Sequence, residues 1–331
     1  MLNKIKLKIP LWSKVAAFHI LNDLKNYSFS VMRAHVYFDY ITYNQIKDKY
    51  TKAYDKRHKS VLAYLKNNYG EIIQKYKNNF SADLEGNISK QIWMFWWDGK
   101  EQMPEVVRLC VNRMQKEFSG FQITILDASN LKEYISLPDY VFKAIEDKKL
   151  SLTHLSDITR MSILAKYGGI WMDATIFPLL GFSKWCEDHL TNNIVTGKRE
   201  ENNNLFVSDY KWTTYFCGGK KNFLLFSFVR DMLLKCVEQK KPFVDYYYMD
   251  YSIALAYREF DLVRRNVDSM EYNNQNAEKM LKIINEKYEK EVFEQYCQNT
   301  YFFKLSWKGE LKEVTESGEE TNYGHLLKMC N

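Results

Sequence analysis

Ser156-Asp157-Ile158-Thr159-Arg160, followed by Leu164-Ala165-Lys166-Tyr167-Gly168-Gly169-Ile170-Trp171-Met172-Asp173-Ala174-Thr175, is the stretch on which the reading of this chain turns. Leu155, Ile158, Met161, Leu164 and Ala165 recur at helical spacing, with Ser156 placed as an N-cap. Gly168-Gly169 supplies the positive-φ positions that stop a helix and turn the chain sharply. Ile170-Trp171-Met172 then reads as a short covered strand, Asp173 ends it, and Pro178 breaks the extended path soon after. In an open α/β sheet ligands collect at the carboxyl ends of strands, so Asp173 is a candidate site residue. Asp157 and Arg160 lie three apart, which lets them share one helix face and point a charged pair at the same place.

Outward from this stretch, strands and helices alternate. The pattern predicts a strand over 92–97, a helix over 106–118, a second strand over 121–126 with Asp127 at its end, and a helix over 139–149. Apolar helices follow over 223–237 and 246–259, then a long Lys- and Glu-rich amphipathic helix over 276–296. Such alternation implies an α/β fold with parallel neighbours in its sheet. Before it, the chain reads as helices over 12–21 and 46–76, with Pro10 the one proline and no glycine until Gly70. The polar run 81–89 contains Gly86 and marks the boundary, giving a helical, basic region 1–85 and an α/β domain 86–331.

The central motif resembles the core of the DXD-containing sugar transferases, most closely the bacterial capsular polysaccharide synthesis proteins. Those families share a Ser-Asp-x-x-Arg helix, a Tyr-Gly-Gly turn and a strand ending in an acid, and the glucosylating bacterial toxins are similar over the same stretch. Gln91-Ile92-Trp93-Met94-Phe95-Trp96-Trp97-Asp98-Gly99 with Pro104, Val107 and Cys110 resembles the family's first strand and following helix. Phe216-Cys217-Gly218-Gly219-Lys220-Lys221, the segment Asp245 to Tyr251, and Lys304-Leu305-Ser306-Trp307-Lys308 with Thr321, Tyr323 and Gly324 extend the likeness in order. The resemblance covers residues 88–327. It implies a GT-A type nucleotide-sugar transferase sandwich, here with an N-terminal helical extension.

It also implies a chemistry. A nucleotide-sugar donor needs a platform for its base, groups that orient the sugar, and positive charge for the departing diphosphate, the last usually contributing most. Asp173 is expected to hold a divalent ion, Mn2+ or Mg2+, that bridges phosphate oxygens, unless it caps the strand or pairs with Arg160. Thr175 replaces the second acid of Asp-x-Asp and offers a neutral oxygen, so the motif lacks one charge. His325 is a candidate third ligand. The resemblance assigns Asp157 to the sugar hydroxyls, Arg160 to the sugar or diphosphate, and Trp96 to stacking on the base. At least two of Trp93, Phe95, Trp96 and Trp97 should be core, because strand neighbours face opposite ways. Lys304, Ser306 and Trp307, with Lys308, resemble an element that closes over the donor, or else form an edge strand. Asp245 and Asp250 are candidates for facing the acceptor.

The activity expected is transfer of a sugar, with retention of configuration, to a growing surface polysaccharide or a lipid-linked glycan. A sugar-phosphate transferase and a non-enzymatic glycan-binding module with a degenerate site are the alternatives. No Gly-x-Ser-x-Gly, His-Glu-x-x-His or phosphate-loop motif points to other chemistry.

Composition narrows the setting. A 46% apolar share is ample for a core, and 16% aromatic residues suggest binding platforms as well. Six scattered cysteines without a C-x-x-C pair fit a reducing compartment and argue against a zinc ribbon. Lys4, Lys6, Lys8 and Lys14 interrupt the first apolar run, so neither a signal peptide nor a membrane span is expected, and the setting expected is cytoplasmic, peripheral to the inner membrane leaflet. Residues 1–80 carry 15 Lys and Arg against 5 Asp and Glu, whereas the rest carries 32 against 36. With no nucleic-acid motif beside it, this basic excess points to an anionic membrane surface and not to nucleic acid. The N-terminal quarter is therefore expected to act as an anchor or docking arm outside the sugar site, the other reading being a solvated basic face.

Overall fold

In the computed structural model, which describes residues 11–79 and 86–330, the decisive helix starts earlier than the sequence suggests. Ser151 caps it, accepting from the His154 amide at 3.2 Å, and Ser156 lies inside the second turn. Among the described residues, four α-helices precede the first strand: α1 (Leu11–Asn26), α2 (Phe29–Tyr43), α3 (Tyr50–Asn68) and α4 (Gly70–Asn79). They form where glycine and proline are scarce, and Ser28 caps α2 by accepting from the Val31 amide at 3.3 Å.

The α/β part runs β1 (Gln91–Phe95), α5 (Glu105–Glu117), β2 (Gln122–Leu126), α6 (Leu131–Tyr134), α7 (Asp139–Glu146), α8 (Leu152–Tyr167), β3 (Gly169–Met172), β4 (Ile176–Pro178), α9 (Phe182–Asp188), β5 (Ile194–Thr196) and β6 (Phe216–Gly219). It continues with α10 (Leu224–Glu238), α11 (Tyr248–Glu259), α12 (Asp261–Ser269), α13 (Lys290–Cys297), β7 (Phe302–Lys304) and α14 (Asn322–Lys328). The main sheet has the order β2-β1-β3-β6-β5, with β1 parallel to β2 and β3, and β6 antiparallel to both β3 and β5. β4 and β7 pair antiparallel in a small second sheet. β3 is central and wholly buried, which its unbroken apolar run requires.

Glycines make the helix-to-strand turn feasible. Gly168 and Gly169 stand at φ +68° and +93°, and a Cβ would lie 2.5 Å from the Lys221 amide nitrogen and 2.6 Å from the Gln91 carbonyl oxygen respectively. Helices cover the sheet: α8 packs on α10, α10 on α11, and α11 on α3. Val61, Leu65 and Tyr69 of the N-terminal helices belong to the same hydrophobic core as Ile92, Trp171 and Phe216. The boundary expected over 81–89 lies partly outside the described residues, and the helices before it share the core of the sheet.

The α/β sandwich with N-terminal helices is thus what the chain forms, but one expected helix is not there. Over 276–296 the chain makes a 3-10 turn at Met280–Lys282, an isolated bridge between Lys287 and Thr321, and only then the short α13. Distant strands and loops claim its backbone groups. Lys304 donates to the Ala277 carbonyl at 2.7 Å, Tyr323 to that of Ile284 at 2.9 Å, and the Tyr288 amide to Glu320 at 2.8 Å. A continuous helix would need the same groups for its own ladder.

Candidate active site

Asp173 leaves β3 with its backbone held, its amide donating to the Tyr215 carbonyl at 2.8 Å. Its side chain is gripped from three directions. The Trp171 indole donates to Oδ1 at 2.9 Å, Arg160 Nη2 reaches the same oxygen at 3.2 Å, and Lys304 Nζ lies 3.6 Å from Oδ2. Trp171 stands two residues before Asp173 on the strand, so the period of two brings both to one side. The sequence carried this signal, although Trp171 reads there only as core. The Arg160 guanidinium also lies over the Trp171 ring, 4.9 Å from its centroid.

Asp157 and Arg160 meet as their spacing predicts, 3.6 Å apart on α8 and both buried. Their protonation is pulled in different directions. Burial pushes the Asp157 carboxyl up to about 7, with Arg160 opposing the shift and the charges of Asp250 and Asp173 adding to it. Burial also works against the Arg160 charge, but Asp173 and then Asp157 outweigh it, so the guanidinium holds its proton more firmly than usual. The difference follows from the count of partners. Arg160 faces two carboxylates, whereas Asp157 has only a share of one cation. Asp250, on α11, is likewise pushed up to about 6 by burial, against a hydrogen bond from the Trp212 indole at 3.1 Å.

From the small sheet, Lys304 on β7 reaches Asp173 and the Thr175 hydroxyl together. The expected metal set is therefore arranged otherwise. Asp173 is the one carboxylate of the motif and is shared by two cations, while the Thr175 oxygen is engaged by an ammonium. His325 stacks on Tyr288 at 3.8 Å, meets the edge of Phe293 and lies 3.6 Å from Glu320, none of which belongs to the Asp173 cluster. These donors do not fit a resident divalent ion, which prefers several anionic oxygens.

Trp96 follows β1, and the register Trp93 to Trp171 places it at the same edge of the sheet as Asp173. Trp93 is core, whereas Phe95, Trp96 and Trp97 are half-buried against it. Trp96 meets Trp307 edge to face, centroids 5.9 Å apart, and its buried indole nitrogen has no hydrogen-bond partner. Trp307 is half exposed. Ser306 closes a local turn with Lys308, accepting from its amide at 3.1 Å.

A cavity of about 410 Å³ opens beside this cluster, lined by Tyr54, Arg57, His58, Arg199, Tyr215 and Asp250 among others. Arg57 pairs with Asp245, and His58 Nδ1 lies 2.8 Å from the Tyr251 hydroxyl. Burial lowers the His58 pKa, which favours the neutral ring. The N-terminal quarter, expected to stand outside the sugar site, contributes Tyr54, Arg57 and His58 of α3 to one wall of this cavity. Nothing in the sequence links Arg57 to Asp245, because no local periodicity spans so long a separation.

Comparison with known proteins adds three findings. The family described as "Capsular polysaccharide synthesis protein" matches residues 20–326. The "O-glycosyltransferase braB" of Annulohypoxylon truncatum is 30% identical over 97 residues, which cover 27% of this chain and 23% of that protein. The chain thus spans about a quarter of the length of that curated relative. Among solved structures, "PaToxG Glycosyltransferase" aligns with a TM-score of 0.36 and 15% identity over 63% of this chain and 81% of that one. The family match runs through the helical layer, the sheet and the Asp173 cluster alike, and the chain belongs to the capsular polysaccharide synthesis protein family.

Proposed function

We propose that the protein is a glycosyltransferase of the GT-A type that moves a sugar from a nucleoside diphosphate to a glycan acceptor during capsular polysaccharide synthesis. The observation that carries this reading is the cluster at the end of β3, where Asp157, Arg160, Asp173 and Lys304 converge beside the cavity. Asp157 binds sugar hydroxyls, and its raised pKa lets it donate as well as accept near neutral pH. Arg160 positions the two carboxylates. Lys304 offers its charge to the diphosphate, and Trp96 with Trp307 forms the slot for the base. The acceptor hydroxyl enters from the cavity. As the new bond to the anomeric carbon forms, the bond to the phosphate oxygen breaks, the diphosphate leaves with the electron pair, and the acceptor proton passes to it. That front-face course retains the anomeric configuration.

Since the donors at Asp173 do not fit a resident ion, Lys304 meets the phosphate charge, with Arg160 holding the two carboxylates beside it. Calorimetry with Mn2+ or Mg2+ is therefore expected to show weak binding at Asp173 without nucleotide. Tight binding that disappears in Asp173→Asn would restore the ion to the site.

The acceptor is proposed to be lipid-linked, with α1 resting on an anionic inner leaflet. Phe18, Ile20, Leu21 and Leu24 of α1 are exposed, and the basic excess of the N-terminal quarter accompanies them. No helix among the described residues is long and apolar enough to cross a membrane. Product analysis tests the reaction. Release of a nucleoside diphosphate with a glycosylated acceptor supports it, a nucleoside monophosphate indicates sugar-phosphate transfer, and glycan binding without donor turnover indicates a binding module.

A further inference from the structure

Away from the sugar site, α1 and α2 face each other with the same pair of residue types one turn apart. His19 and Asp23 stand on α1, His35 and Asp39 on α2, each pair at the i, i+4 spacing that puts both side chains on one face. Asp23 Oδ2 lies 2.7 Å from His35 Nδ1 and 3.4 Å from His19 Nδ1, and Asn22 donates to its other oxygen at 3.0 Å. His19 Nε2 lies 3.5 Å from Asp39 Oδ2. The Asp23 and His35 side chains are only 1% and 6% exposed. Buried as they are, His19 Nδ1, His35 Nε2 and Asp39 Oδ2 have no hydrogen-bond partner. A cavity of about 260 Å³ adjoins them, bounded also by Arg57 and the segment 242–246. Arg57, at the cavity wall, pairs with Asp245.

We infer that His19, Asp23 and His35 form a binding site for a zinc-type transition-metal ion, with Asp39 orienting His19 from behind and the fourth position open to the cavity. His19, Asp23 and His35 each offer a ligand atom within 4.8 Å of the others. Tetrahedral zinc with bonds of about 2.0–2.1 Å sets its ligand atoms about 3.3 Å apart. The 2.7 and 3.4 Å separations from Asp23 need only a sub-ångström adjustment to reach that, and the third, between the two histidines, lies within 4.8 Å. Two imidazoles with one carboxylate suit zinc and its neighbours better than magnesium or calcium, which favour all-oxygen sets. A carboxylate behind the far nitrogen of a ligating histidine is the usual support that fixes ring orientation. The ion ties α1 to α2 above the segment 242–246, where Tyr27 already donates to the Pro242 carbonyl at 2.9 Å. This site is independent of the sugar-transfer reading.

Calorimetry on the metal-stripped full chain with Zn2+ tests the assignment. One ion per chain is expected, with no competition from Mg2+, a loss of at least about 10²-fold in affinity in His35→Ala, and a loss of about 10- to 100-fold in Asp39→Asn. Co2+ in place of zinc should give a ligand-field spectrum without a sulfur-to-cobalt band, which separates this site from the six free cysteines. No stoichiometric uptake, full affinity in His35→Ala, or a thiolate band would each overturn it. If His35→Ala does not fold, the Co2+ spectrum of the parent chain decides by the same criterion.

Discussion

At the scale of single residues, charge and burial compete within a few ångströms. The Asp173 carboxylate meets two cations, Arg160 and Lys304. Asp173→Asn keeps the shape and removes that charge, and turnover should fall by at least about 10²-fold in a variant whose circular dichroism is unchanged. Asp157 is the opposite case. Its carboxyl titrates near 7 in the folded chain, far above its value of about 3.9 in an unfolded one, so the folded state binds the extra proton. Its contribution to stability is complete below the unfolded pKa and is lost as pH rises through the folded one. Replacement by Asn removes this dependence. The stability of Asp157→Asn relative to the parent should therefore improve steadily between pH of about 4 and about 7, whatever its offset from losing Arg160 as a partner. Denaturant melts at several pH values check the slope, and a flat difference would contradict the burial argument.

At the scale of elements, what can be read from sequence depends on whether the cause is local. The run from α8 through Gly168-Gly169 to β3 is legible because helical period, glycine stop and apolar strand are all neighbours in the chain. It also makes a graded prediction. Gly169→Ala forces a Cβ to 2.6 Å from the Gln91 carbonyl at a φ of +93°, whereas at Gly309, φ +104°, nothing lies within 4 Å of the added atom. Both alanines pay the backbone strain of about 1–2 kcal/mol, and only Gly169→Ala must also displace β1. Thermal melts should show a clearly larger drop for Gly169→Ala than for Gly309→Ala. The segment 276–296 was illegible for the converse reason. Its Lys and Glu pattern favours a helix, and only partners at residues 304, 320 and 323 decide otherwise. The same holds for the cavity. Its Arg57, Arg199 and Asp250 come from three distant segments, so spacing could nominate Asp250 only weakly and the arginines not at all.

At the scale of the whole molecule, the N-terminal helices look two ways. α3 turns Tyr54, Arg57 and His58 toward the cavity, while α1 leaves apolar side chains in solvent. If that outer face meets an anionic bilayer, the full chain should sediment with anionic vesicles at low salt and be released as ionic strength rises. Leu21→Glu with Leu24→Glu, at positions 75% and 52% exposed, should abolish sedimentation while leaving the melting temperature nearly unchanged. Retained sedimentation in that variant would assign the binding to another surface. One further consequence comes from the packing of α1 on α2, α2 on α3 and α3 on α11. Footing and cavity are joined by continuous packing, so the height of the cavity above a bilayer is built in. The enzyme would act as a ruler that admits a sugar only at a fixed remove from its lipid, and a glycan too short or too long for that height would pass unmodified, whatever its chemistry.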